Sequence, residues 1–246
     1  MSEKESTQAK TYFTQPGDCT DEIKFLFDDE QTLYVSENLL NYASPVFKAM
    51  LAHNFKEKTE REVKLTGKNY EDVLEFLLCL HPAVQREITT KNVLDVAGIA
   101  EEYQVDLLIT RCKNVMTKWL ESELAYVKTN AIYDTTLRER AANCLTVLHK
   151  ALECRYTTMT DYAITIISKF GYGVFSGTLK LHTSGSYVSN VNQYRNQYGH
   201  SRENYIHGDS TEGESECQKL FSKLPDNIKF RLLVERLMTC DTNIMY

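Results

Sequence analysis

Residues 39–50 read Leu39-Leu40-Asn41-Tyr42-Ala43-Ser44-Pro45-Val46-Phe47-Lys48-Ala49-Met50, and this stretch decides the fold. At its centre, Ser44 followed by Pro45 is a helix start. The serine hydroxyl can accept an otherwise unpaired backbone N–H, and proline at the first helical position has its φ already set and lacks a donor that would be orphaned there anyway. Just upstream, Ser36 can cap a first short helix through Tyr42. Two short helices in direct succession are predicted, and neither is long enough to persist alone. They must be clamped by packing on something else.

Working outward, residues 22–27 and 31–35 are extended-looking runs on either side of the acidic turn Asp28-Asp29-Glu30, which predicts a β-hairpin ahead of the helix pair. Beyond the pair, residues 61–65 suggest a third strand closed by Thr66-Gly67. Tyr70, Val73, Leu74, Leu77 and Leu78 then recur at helical spacing, and the helix should stop before Pro82. A further helix is expected from Thr89 or Thr90, with Val93, Val96, Ala97 and Ala100 inward. The next starts at Gln104, with Leu108, Cys112, Val115 and Trp119 on one stripe.

The second half is helical and then polar. Leu137, Ala141, Leu145, Leu148 and Leu152 form one apolar stripe, and residues 159–170 form another helix ended by Gly171. With residues 127–132 they suggest a helical extension packed on the first domain. Residues 184–216 are rich in Ser, Asn, Gln, Gly, Tyr and acids, a composition that reads as a linker. Pro225-Asp226 then opens a closing helix whose Ile228, Leu232, Val234, Leu237 and Met238 should dock back on the body. The expected organisation is a flexible segment 1–19, a domain 20–122, a helical extension 123–183, a linker 184–216 and a C-terminal helix 217–246.

Composition narrows the chemistry. With 28 Lys plus Arg against 34 Asp plus Glu and no basic run, a nucleic-acid backbone is a poor partner. No apolar run is long enough for a membrane span, and the polar opening residues do not read as a secretory leader, so a cytoplasmic or nuclear protein is expected. Seven cysteines, at 19, 79, 112, 144, 154, 217 and 240, include no CxxC pair and read as reduced thiols. His200, His207 and Cys217 are too loosely spaced for a structural zinc site, so no metal is expected. No phosphate loop occurs, and nothing places a base beside a thiol. Neither a cofactor nor catalysis is predicted.

The order hairpin, two short helices, strand, paired helices resembles the BTB/POZ fold, an α+β arrangement of a short sheet and a helix cluster, here followed by an α-helical extension. Asp21-Glu22-Ile23 resembles the family's opening strand, residues 39–50 its most diagnostic stretch, and residues 93–97, 100–105 and 107–112 its last two helices. The flavour is closest to nematode BTB and MATH-BTB proteins, with no MATH-like segment legible ahead of it and no kelch repeats or zinc fingers after it.

The resemblance implies a protein-interaction module, not an enzyme. It implies homodimerisation through the first helix, with Val35, Leu39 and Leu40 as interface candidates, and docking of cullin-3, which would make the chain a ubiquitin-ligase adaptor for an unknown protein substrate. Phe55-Lys56-Glu57 fits the family's cullin-contacting pattern of an apolar residue, any residue, then Glu, and Met50 and Tyr103 would share that face. The alternative is an oligomerising scaffold that binds no cullin. In one departure from the family, Ser36-Glu37 replaces a basic pair, so Asp21 and Glu37 are expected to repel one another.

Overall fold

The computed structural model describes residues 12–52, 56–129, 136–170, 175 and 215–242. Strands β1 (Glu22–Leu26) and β2 (Thr32–Ser36) form the expected antiparallel hairpin, with Phe25 opposite Leu33. Their alternation puts Ile23, Phe25, Leu33 and Val35 on the buried face. A short third strand, β3 (Glu62–Lys64), adds to the other side of β1 in parallel, giving the order β2-β1-β3.

Between β2 and β3 run α1 (Glu37–Ala43), α2 (Pro45–Met50) and α3 (Lys56–Glu60). Ser36 and Ser44 cap α1 and α2 by accepting from Leu39 N and Phe47 N. Ser44 also donates its hydroxyl proton to the Tyr103 carbonyl, so a residue read from sequence as a local helix start also ties α2 to the far end of the domain.

Helices α4 (Tyr70–Leu80), α5 (Val93–Glu102) and α6 (Asp106–Thr129) complete this part. Helix α5 starts at Val93 and not at Thr89 or Thr90. The Asn92 side chain accepts from Thr89 N and donates to Glu75 and to the Glu87 carbonyl, holding the preceding residues as a loop. The inward stripe of α6 is Leu108, Cys112, Met116 and Leu120, all fully buried, with Val115 and Trp119 flanking it. Leu108 and Cys112 lie inward as expected, and beyond them the stripe falls one residue later than expected, on Met116 and Leu120.

Two expected boundaries shift. Phe13 is in the core, its carbonyl accepts from Tyr34 N at 2.8 Å, and Tyr12 and Phe13 pack on His81, so the ordered chain includes residues 12–19. Further on, α6 runs unbroken through residues 120–123.

The following region is helical, with α7 (Leu137–Glu153) and α8 (Thr157–Ile167) packed as a pair. Residues 184–214 lie outside the described residues. Ser215 opens α9 (Glu216–Ser222) with a capping box, its hydroxyl accepting from Gln218 N while Gln218 accepts from Ser215 N. Helix α9 packs on α7, and His149 Nε2 lies 2.8 Å from the Leu220 carbonyl oxygen. Helix α10 (Asp226–Thr242) follows and packs on α8. It docks as expected only through Ile228 and Leu232; Val234, Leu237 and Met238 are exposed.

Candidate functional site

Met50 and Glu57 lie seven residues apart and Tyr103 46 residues further on; the fold brings all three together. They line one groove with Val63 and Leu65, between α2, α3, β3 and the turn after α5. Tyr103 reaches it because α5 ends there, and Gln104, at φ 51°, turns the chain back into α6. Its ring stacks on Phe47 at 4.2 Å with planes 6° apart, and Phe47 in turn stacks on Phe25 at 5.5 Å. Tyr103 is therefore a buried wall, 6% exposed, and burial pushes its hydroxyl up to about 12.

Met50 and Glu57 are half-buried and form the accessible part of the groove. Two cations next to Glu57 on α3 are committed elsewhere: Lys56 pairs with Glu60 at 3.4 Å and Lys58 pairs with Glu37. Among the described residues the Glu57 carboxylate makes neither a hydrogen bond nor an ion pair. An acceptor held beside a thioether and an aromatic wall can fix a partner's donor while the apolar side chains take its hydrophobic contact. Phe55, the remaining cullin candidate, lies outside the described residues.

Of the dimer candidates, Val35 and Leu40 are fully buried in this chain's own core, so their side chains cannot meet a second copy. Alternation on β2 already points Val35 inward, and Leu40 fills the underside of α1. Leu39 is half-buried. The side chain that α1 does present is Tyr42, 95% exposed and three residues beyond Leu39 on the same helix face. That spacing was the signal available in the sequence.

The expected repulsion between Asp21 and Glu37 does not occur. Asp21 accepts from Ser36 Oγ at 2.6 Å and from Asn38 N at 3.0 Å, and the Ser36 bond, then the Asn38 bond, hold its carboxyl below the usual range. Glu37 turns away to Lys58 and Asn41.

Thiol chemistry finds no support among the buried cysteines: burial pushes Cys79, Cys112 and Cys217 up to about 12 and raises Cys144 and Cys154 as well. Among the described residues no group of three His, Cys, Asp or Glu could hold a metal ion, and no helix is long and apolar enough to cross a membrane. His200 and His207 lie outside them.

Comparison with known proteins adds the following. Residues 13–119 match the family model of the BTB/POZ domain. The chain is 28% identical over 88 residues to BTB and MATH domain-containing protein 38 of Caenorhabditis elegans, covering 36% of this chain and 22% of the relative. It is 30% identical over 126 residues to Kelch-like protein 38 of Homo sapiens, covering 51% of this chain and 20% of the relative. It thus spans about a fifth of the length of these curated relatives.

Proposed function

Because residues 13–119 form a BTB/POZ domain, a protein-interaction module, we propose that the chain self-associates and acts as a substrate adaptor of a cullin-3 RING ubiquitin ligase. The observation that carries this reading is the half-buried carboxylate of Glu57, without a partner among the described residues, in one groove with Met50 and Tyr103 and directly after Phe55-Lys56 in the sequence. Cullin-3 would seat an apolar side chain against Met50 and give a donor to Glu57. Tyr103 would back the groove without making much of the contact. Leu39 and Tyr42 would take part in the homodimer, and the helical region after residue 122 would recruit the protein substrate. Self-association would present two copies of each surface and raise the apparent affinity for a multivalent substrate. The chain would work in the cytoplasm or nucleus, where its thiols stay reduced.

Co-purification tests it. The pair Phe55→Ala and Glu57→Ala should abolish recovery of cullin-3 while the variant still unfolds in one cooperative thermal transition. Equal recovery would contradict the proposal.

One observation favours a second reading, an oligomerising scaffold that binds no cullin. Tyr103 is so fully committed to Phe47 that the groove offers few apolar side chains to a partner. A stable homodimer that never retains cullin-3 would decide for it.

A further inference from the structure

Helix α10 carries a second apolar face. Ile228 and Leu232 are buried against the body, but Phe230, Leu233, Val234, Leu237 and Met238 are 67%, 43%, 38%, 65% and 61% exposed. Spacings of three, one, three and one place all five on one stripe of the helix. Large apolar side chains scattered singly are ordinary; a continuous stripe of five is not. Beside Leu233 the stripe opens on a small apolar hollow lined by Phe170, Phe175, Phe221 and Leu232.

We infer that α10 is a self-association surface whose occupant is the α10 of a second copy, packed antiparallel. Three observations select that occupant. First, four of the five side chains are symmetric about the midpoint of Leu233 and Val234, so two copies related by a two-fold bring Phe230 of each opposite Leu237 of the other and Leu233 opposite Val234. Second, cations bordering the stripe are engaged within the chain: Lys229 pairs with Asp226, Arg231 with Asp161 at 2.6 Å, and Arg236 donates to the Ser168 and Lys169 carbonyls. The rim therefore carries no uncommitted charge pattern of one sign that would select an oppositely charged partner. Third, five side chains at these exposures offer on the order of 500 Å² of apolar surface per copy. Two copies together would bury roughly 1,000 Å², where specific interfaces begin.

This surface is separate from α1 and from the groove at Glu57, and does not rest on the cullin reading. Hydrogen exchange and sedimentation of the purified full chain, across a hundredfold range of concentration, test it. Exchange at residues 230–238 should slow by at least tenfold as concentration rises. The pair Phe230→Glu and Leu237→Glu should remove both that protection and the heaviest species seen for the wild type. If that pair lowers the thermal midpoint, Phe230→Ser with Leu237→Ser serves the same purpose with less perturbation. Exchange at 230–238 independent of concentration, with equal mass distributions for wild type and variant, overturns the inference. So does protection that arises only on adding phosphatidylserine vesicles, which would make the stripe a lipid-facing surface.

Discussion

Glu123 Oε2 lies 2.7 Å from the Arg140 guanidinium, and this pair joins the helix that ends the BTB region to the first helix of the extension. The Glu123 side chain is only 5% exposed. Its other oxygen accepts from Trp119 Nε1 at 3.2 Å and Asn143 Nδ2 at 3.1 Å, while the Arg140 guanidinium stacks over the Tyr126 ring at 3.4 Å. A buried carboxylate is tolerated only when its lone pairs are used, and here three donors from two helices use them.

Arg140→Ala should therefore be costly. It leaves Glu123 buried with two neutral donors, and breaking such a pair costs about 3 kcal/mol. Urea unfolding of the full chain measures this. A loss under about 0.5 kcal/mol, the scale of a surface pair, would show that the link between α6 and α7 is not structural.

Asp21 gives a pH dependence with a definite sign. Ser36 and Asn38 hold its folded carboxyl below the ordinary value, so its contribution to stability is complete above the unfolded value, about 3.9, and is lost as pH falls through the lower folded one. In Asp21→Asn that part of the acid slope should vanish, with wild type and variant converging as pH falls through the folded value. Unfolding free energies between pH 6 and pH 3 measure it; parallel curves would refute the assignment.

These two residues differ in how far the sequence exposed them. Capping at Ser36 and Ser44, the hairpin and the stripes of α4 and α7 were legible because they depend on neighbours within one or two turns. Glu123 was not, since an acidic residue on a long helix is ordinarily solvated and only the approach of α7 makes it a buried acceptor. Ser44 was half legible: its cap is local, but its bond to the Tyr103 carbonyl spans 59 positions. The surroundings of Asp21 do not follow from the charges on Asp21 and Glu37, because the hydroxyl of Ser36 and the backbone of Asn38 decide them. In the groove, the residues Met50, Glu57 and Tyr103 came from resemblance. What sequence could not supply was that Lys56 and Lys58 would be drawn off by other carboxylates, leaving Glu57 without a partner among the described residues.

Thiol reactivity should follow burial. Cys19 is exposed, whereas Cys79, Cys112, Cys144, Cys154 and Cys217 are buried. Brief treatment of the native protein with iodoacetamide at pH 7.5 should label Cys19 well before any of those five, which should react fully only in denaturant. Mass spectrometry of the peptides reads this directly. A buried cysteine outpacing Cys19 would point to an activated nucleophile and against a purely non-catalytic role.

The most direct test of the adaptor reading is the mass in solution of the purified full chain, alone and mixed with the N-terminal region of cullin-3. The proposed function predicts a self-associated chain alone and one cullin-3 per chain in the mixture, the cullin being lost with Glu57→Lys. A chain that keeps the same mass with and without cullin-3 at tens of micromolar would contradict it.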